Sequence, residues 1–345
     1  MKIAYVLLGL WLPLTGFAQI GGRHVYDFLN LMPSARLVAM GGANVSLKDD
    51  DVHFAAMNPA LAGDSMHQRA VLSFSNYLSD IRYGYAGYSH TFEGIGSFHS
   101  GIQYLSYGQM QGADEFGNLT GTFSASDLAW VVGYSRSFGQ FSAGANLRFI
   151  SSTIATYNSA GLSVDLGGAY ISKDKLFSAG VAMRNAGVQL TTFVTGGERY
   201  PLPFELSAGI SQKLRYMPLR FSITATNLDH PNLILRDPDA VPELDLSGNP
   251  VPEKNQFVDN LFRHAVFGGE FLMGKALRLR FGYNHLRRQE LRSDNRGGFS
   301  GFSLGAGIRA GGLAFDYGFA SYGVNQAFQI HQFSLMYHIG RKKAE

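Results

Sequence analysis

The feature that most constrains this chain is a two-residue alternation that recurs from about residue 70 to residue 339. Phe141, Ala143, Ala145, Leu147 and Phe149 alternate with Ser142, Gly144, Asn146 and Arg148. Leu277, Leu279, Phe281 and Tyr283 alternate in the same way with Arg278, Arg280, Gly282 and Asn284. So do Leu313, Phe315, Tyr317 and Phe319 with Ala314, Asp316, Gly318 and Ala320. Successive side chains of a strand point to opposite faces, so each segment has one apolar face and one polar or small face. One face suits lipid and the other a polar or tightly packed lumen, the pattern of an antiparallel transmembrane β-barrel.

About fourteen such segments fit the chain, an even number as closed bacterial barrels require. They are expected near 70–78, 81–90, 95–107, 127–137, 140–150, 159–171, 176–185, 203–214, 219–228, 261–272, 276–285, 299–309, 313–321 and 328–339. The connections sort by length. Every second one is short: Thr91–Gly94, Phe138–Gly139, Ser172–Lys175, Arg215–Pro218, Met273–Lys275 and Ala310–Gly312. The others include Gly108–Ser126, Ala186–Leu202, Asp229–Asn260 and Leu286–Gly298, although those at Ser79–Asp80 and before the last strand are short. Barrels carry short periplasmic turns and longer outside loops. The expected placement is therefore the outer membrane, with long loops extracellular and both termini periplasmic.

Composition agrees. Charged residues make up 16% of the chain, against roughly 25% in soluble domains. The 42 Gly and 17 Tyr and a mean hydropathy of -0.03 fit alternating faces and exclude a bundle of membrane helices. With no cysteine, disulfides, thiol catalysis and cysteine–zinc sites are excluded. A net charge of +3, with Arg341, Lys342 and Lys343 clustered only at the end, gives no nucleic-acid footprint. At the start, Lys2, the apolar stretch Ile3–Leu14 and Gly16-Phe17-Ala18 read as a signal peptide over 1–18. That stretch is shorter than the roughly 20 residues of a spanning helix.

Residues 19–68 differ from the barrel at 69–345. Ser34 and the residues after it start a short helix that ends at Gly41 and Gly42. Asp49, Asp50 and Asp51 follow, then Asn58 and Pro59. A segment of this kind suits a hatch folded into the barrel, where side chains must satisfy its irregular backbone.

The run SARLVAMGGANVSLKDDDVHFAAMNPALAG, residues 34–63, resembles the N-terminal hatch signature of the PorV/PorQ family, distant relatives of the FadL-type transporters. QIGGRHVYDFLNLMPSAR (19–36), HSGIQYLSYGQMQGADEFGNLTG (99–121), LFRHAVFGGEFL (261–272) and RLRFGYNHLRRQEL (278–291) resemble its PorQ-like members. The likeness spans nearly the whole mature chain. It implies a component of the type IX secretion machinery of Bacteroidetes, in a surface attachment complex with PorU, PorV and PorZ. The PorQ-like barrel would tether a PorZ-like surface protein.

Chemistry is scarce. Ser89-His90 and His99-Ser100 are adjacent, so their side chains point to opposite faces and make no nucleophile–base pair. Asp49–Asp51 lacks the alternating ligands of an EF-hand loop, and a backbone-capping or hatch-to-wall role is the better reading. The lumen-facing Arg148, Arg220, Arg278 and Arg280 are opposed by Asp165, Glu205, Glu270 and Asp316, a set that reads as structural pairing. No cofactor or metal is implied.

Two loops are candidate partner sites. One is 229–260, with five prolines and the acids Asp237, Asp239, Glu243 and Asp245; the other is 108–126, with Met110, Phe116 and Phe123. The reading is a non-enzymatic barrel that anchors a surface protein, with a FadL-like transporter of a hydrophobic small molecule as the alternative. Intact-mass measurement of the exported protein is expected to give a chain beginning at Gln19; a retained Met1 would remove the export reading.

Overall fold

The computed structural model describes residues 24–77, 80–234, 256–291, 299–322 and 329–340. The expected signal peptide lies outside these residues.

Strands β1 (Arg69–Asn76), β2 (Arg82–Phe92), β3 (Gly96–Ala113), β4 (Leu119–Phe138), β5 (Phe141–Ile154), β6 (Tyr157–Ile171) and β7 (Phe177–Thr191) form the first half of the wall. The second half is β8 (Glu205–Lys213), β9 (Leu219–Ala225), β10 (Ala265–Met273), β11 (Leu277–Asn284), β12 (Phe302–Ala310), β13 (Leu313–Ser321) and β14 (Gln329–His338). Each pairs antiparallel with its neighbour, and β1 pairs β14, from Arg69 opposite His338 to Asn76 opposite His331, closing a fourteen-stranded barrel. Closure gives every strand of the wall a partner on both sides, as hydrocarbon requires. Among the described residues no helix is long and apolar enough to cross a membrane.

The alternation is realised as two faces. On β5, Phe141, Leu147 and Phe149 are exposed while Ser142, Asn146 and Arg148 are buried. On β13, Leu313 and Phe315 are exposed, and Ala314, Asp316 and Gly318 face inward and are buried.

Three connections differ from the expectation. The loop expected over 108–126 is mostly strand: β3 and β4 run 18 and 20 residues, leaving only the turn 114–118. β2 pairs β3 only up to Ser106, and β5 pairs β4 only from Ala125. Beyond those points the two strands pair only with each other, so the hairpin projects roughly 20 Å past its neighbours. In this extension Met110 pairs with Phe123, and Phe116 sits exposed at the tip. The second difference is β7, which continues to Thr191 where the expected loop began at Ala186. The third is at the start of β10. Leu261–His264, expected as strand, belongs to helix α2 (Gln256–His264), whose Phe257, Val258, Leu261 and Phe262 are exposed. Leu and Phe at three- and four-residue spacing fit a helix as well as a short strand.

Residues 24–68 lie against the inward wall. Helix α1 (Ala35–Ala39) is capped by Ser34, whose hydroxyl accepts from Leu37 N–H, and ends where Gly41 and Gly42 take φ of 94° each. Ala35 N–H donates to Ser334 Oγ at 2.8 Å, and Gly41 N–H to Ser303 Oγ at 3.0 Å. Leu37, Phe54 and Leu61 are fully buried. The wall begins and ends on the short-turn side, at Arg69 and His338. The first described residues are at the opposite rim, where Val25 N–H donates to Pro201 O at 3.0 Å.

The segment approaches the wall closely at Gly318, where an added Cβ would collide with the Ala35 carbonyl. Gly318→Val is therefore expected to cost about 1–3 kcal/mol by overpacking. Denaturant unfolding in detergent micelles checks this, and an unchanged midpoint would mean that α1 does not sit there.

Candidate functional site

The polar centre of the lumen is built on Arg36, which α1 carries and which is only 1% exposed. Its Nε donates to Glu270 Oε1 at 2.8 Å and its Nη2 to Asp49 Oδ2 at 2.6 Å, with Asp51 at 3.4 Å and the Phe54 ring 4.9 Å from Cζ. Glu270, fully buried on β10, also accepts from Arg220 of β9 and from Arg280 Nε of β11 at 2.8 Å. Arg280 then reaches Asp316 of β13 at 2.6 Å. It crosses β12 at Gly307, where a Cβ would collide with the Asp316 carboxylate. A row of alternating charge thus spans five adjacent strands and holds the inner segment from one side.

The three consecutive aspartates point to different partners. Asp49 bridges Arg36 and Arg220, Asp50 binds Arg309 at 2.6 Å and Arg69 at 3.2 Å, and Asp51 faces His53 and Arg36. Burial opposes ionisation of Asp51, but its hydrogen bonds to His53 and the Arg36 charge hold its carboxyl well below the usual range. Among the described residues no cluster of His, Asp and Glu has the arrangement of a metal site. Lys48 is pushed down to about 8, chiefly by burial, with Asp64 acting in the opposite sense. Its Nζ donates to Ser142 Oγ at 2.8 Å and Ala60 O at 3.3 Å.

Asn58 and Pro59 are set against the opposite wall. Asn58 Nδ2 donates to Val45 O at 2.7 Å, and its Oδ1 accepts from Ala60 N–H, capping the turn that Pro59 starts. On the wall, Asp165 accepts from Arg148 at 2.7 Å and from Asn185 N–H at 2.8 Å, at a bulge where Asn185 takes φ of 57°. Glu205 pairs with Arg184, a partner the sequence reading did not single out. Arg278, expected among the paired lumen charges, donates instead to the Gly274 carbonyl at 3.1 Å and the Leu277 carbonyl at 3.0 Å.

One constellation was missed from the sequence. His53 Nδ1 lies 2.7 Å from Asp51 Oδ1, and its Nε2 lies 2.8 Å from Ser73 Oγ. This has the geometry of a nucleophile–base–orienter triad, but all three are buried, and Ser73 is further bonded to Ser334 Oγ at 2.7 Å. The chain Asp51–His53–Ser73–Ser334 ties the inner segment to the β1–β14 seam. An X-x-X spacing of Asp and His, with a serine 20 residues on, is too common in sequence to stand out. The adjacent Ser89-His90 and His99-Ser100 do split across the wall: Ser89 and His99 are buried, and His90 and Ser100 are half-buried on the other face.

A cavity between Ala56, Tyr85, Gln103, Ala129, Val131 and Arg148 measures about 10 Å³, room for about one water at most. At the long-connection rim stand the projecting hairpin and α2, where Asp259 pairs Arg263 at 2.7 Å and accepts from or faces His285 at 3.1 Å. Asp237, Asp239, Glu243 and Asp245 lie outside the described residues.

Closed antiparallel wall, inward-packed N-terminal segment and apolar outward face together define a fourteen-stranded antiparallel β-barrel, a fold that matches outer-membrane barrel proteins. Among solved structures, the TodX monoaromatic hydrocarbon channel (a deltaS2 mutant) matches at TM-score 0.51 and 12% identity, over 90% of this chain and 98% of that one. A Pseudomonas aeruginosa FadL homologue matches at TM-score 0.51 and 12% identity, over 88% and 98%. The Pseudomonas putida toluene transporter TodX matches at 0.50 and 12%, over 88% and 96%. At this identity the likeness is one of fold. No protein-family model matches the chain, and no curated protein matches its sequence.

Glu270→Gln would leave the buried guanidinium groups of Arg36 and Arg280, and the partly buried one of Arg220, without their shared carboxylate. The expected loss is about 3–5 kcal/mol, with residues 24–68 becoming sensitive to protease. Unfolding titrations and limited proteolysis in micelles measure both, and a protected segment at unchanged stability would show that the charge row does not hold it.

Proposed function

We propose that this chain is a non-enzymatic outer-membrane barrel that serves as a membrane anchor, closed by its own N-terminal segment and holding a surface protein at its long-connection rim. The observation that carries this reading is the packing of residues 24–68 inside the barrel, where Leu37, Phe54 and Leu61 are fully buried and the space beside Tyr85 and Arg148 measures about 10 Å³. Segment 24–68 acts in this reading as a fixed plug, tied by Arg36 to Glu270 and by His53 to Ser73. The projecting hairpin supports docking, with Phe116 82% and Leu119 74% exposed, since recognition favours loops on a rigid scaffold. The resemblance of residues 34–63 and the later segments to the PorV/PorQ family supplies the partner class. That class is a PorZ-like protein in a type IX attachment complex with PorU and PorV.

A second reading, transport of a hydrophobic small molecule, is favoured by the fold comparisons. The matching solved structures are a monoaromatic hydrocarbon channel, a FadL homologue and a toluene transporter. One fold hosts several functions, so site geometry weighs for the anchor and the neighbours weigh for the channel.

The discriminating experiment is a pull-down of the tagged barrel from detergent-solubilised outer membranes, repeated with 229–260 replaced by a short Gly/Ser linker. Co-purification of a PorZ-like surface protein, lost on replacement, is the expected result. A barrel that emerges alone, with a fatty acid or other small hydrophobe detected by mass spectrometry, would sink the anchor and establish the channel.

A further inference from the structure

The outer face of the wall is not uniform. Over most of the belt the outward positions are Phe, Leu, Ile or Tyr, as at Leu72, Phe74, Phe281 and Phe315, all exposed. Across β6 to β9 the outward positions Gly168, Ala179, Ala208 and Ala225 are small. They neighbour one another around Val181 and Ile210, with Gly168 and Ala208 both paired to Val181, Ala179 to Ile210 and Ala208 to Ala225. The result is an apolar groove of about 620 Å³ on the lipid-facing side, with Phe141 and Tyr170 at one margin and Ile223 at the other. Its volume lies within the range of ordinary ligand sites.

The groove runs toward two short turns, 172–176 between β6 and β7 and 214–218 between β8 and β9. These turns are joined: Lys213 N–H donates to Leu176 O at 2.7 Å, and Arg215 pairs Asp174 at 3.2 Å. Lys173, Lys175, Lys213 and Arg215 are all exposed there, against the single carboxylate of Asp174. Ala179 is four residues beyond Lys175, roughly 13 Å along the strand. Tyr216, 93% exposed in the same turn, is the kind of side chain that sits at headgroup level.

We infer that this groove is a binding site for an anionic phospholipid of the leaflet on the short-turn side. One acyl chain fills the depression over Gly168, Ala179 and Ala208, and the phosphate meets Lys173, Lys175 and Arg215. Lipid tails are as apolar as the wall, so burial of apolar surface gives no preference for one lipid over another. Shape does: a chain seated in the groove makes dispersion contacts that a flat wall denies it. The headgroup adds charge selectivity, since clustered Lys and Arg beside a membrane attract anionic lipids. The four cations explain the choice of an anionic over a zwitterionic lipid, and the small residues explain why the site is here and not along the rest of the belt.

The test uses the full-length barrel in detergent micelles, titrated with phosphatidylglycerol or phosphatidylcholine of identical acyl chains and read by native mass spectrometry. One retained phosphatidylglycerol per barrel is expected, with a preference of about tenfold or more over phosphatidylcholine. The triple variant Lys173→Gln, Lys175→Gln, Arg215→Gln should abolish the preference. Ala208→Phe should reduce retention of both lipids while the heat-dependent gel mobility of a folded barrel persists. Should that variant fail to fold, Ala225→Phe fills the other end of the groove. Equal retention of the two lipids by the unaltered protein would overturn the site. Loss in the charge variant with no loss in either groove variant would overturn the seated chain.

Discussion

Hydrocarbon offers no partner to a backbone N–H or C=O, and the rest of this structure follows from that. Fourteen strands satisfy each other only by closing, and β1 meets β14 along eight consecutive register pairs from Arg69 to Asn76. Barrel diameter grows with strand number, so closure at this size leaves an interior that wall side chains cannot fill alone. Residues 24–68 occupy it. Their turns carry irregular backbone into a place with little water, so serines and asparagines on both sides supply the hydrogen bonds. Ser334 serves Ala35, Ser303 serves Gly41, and Asn58 serves Ala60.

Charge does the rest of the holding. Arg36 is surrounded by Glu270, Asp49 and Asp51, while Glu270 is shared with Arg220 and Arg280. A buried pair is a weak source of net stability but a strict one, because removing either partner strands the other without water. Such a row fixes one position of the inner segment against all slipped alternatives. The His53–Ser73 contact does the same at the seam where first and last strands meet. A plug fixed by this many directed contacts suits a static anchor.

The two rims and the outer belt divide the remaining roles. The long-connection rim carries the projecting hairpin and the exposed apolar residues of α2, and the short-turn rim carries the joined cationic turns beneath the groove. Each interrupts the regular wall: a hairpin that outruns its neighbours, and a stretch where small outward residues sit among larger ones.

The sequence by itself determined the number of strands, their approximate bounds and which face of each meets lipid. These are local properties: alternation at period two is written in consecutive residues, and the turn residues that punctuate it are adjacent to it. It also marked the capped helix at Ser34 and the glycines that end it. Tertiary structure alone decided what those faces meet. Glu270 finds Arg36 across 234 positions, and Ser73 finds Ser334 across 261, separations over which residue spacing carries no signal. The same limit hid the free-standing part of the β3–β4 hairpin, since nothing local says where neighbouring strands stop. It hid the helical turn at Leu261–His264 because a few apolar residues satisfy either period. The groove escaped notice for a related reason: Gly168, Ala179, Ala208 and Ala225 are ordinary small residues on four separate strands until the ladder brings them around Val181 and Ile210.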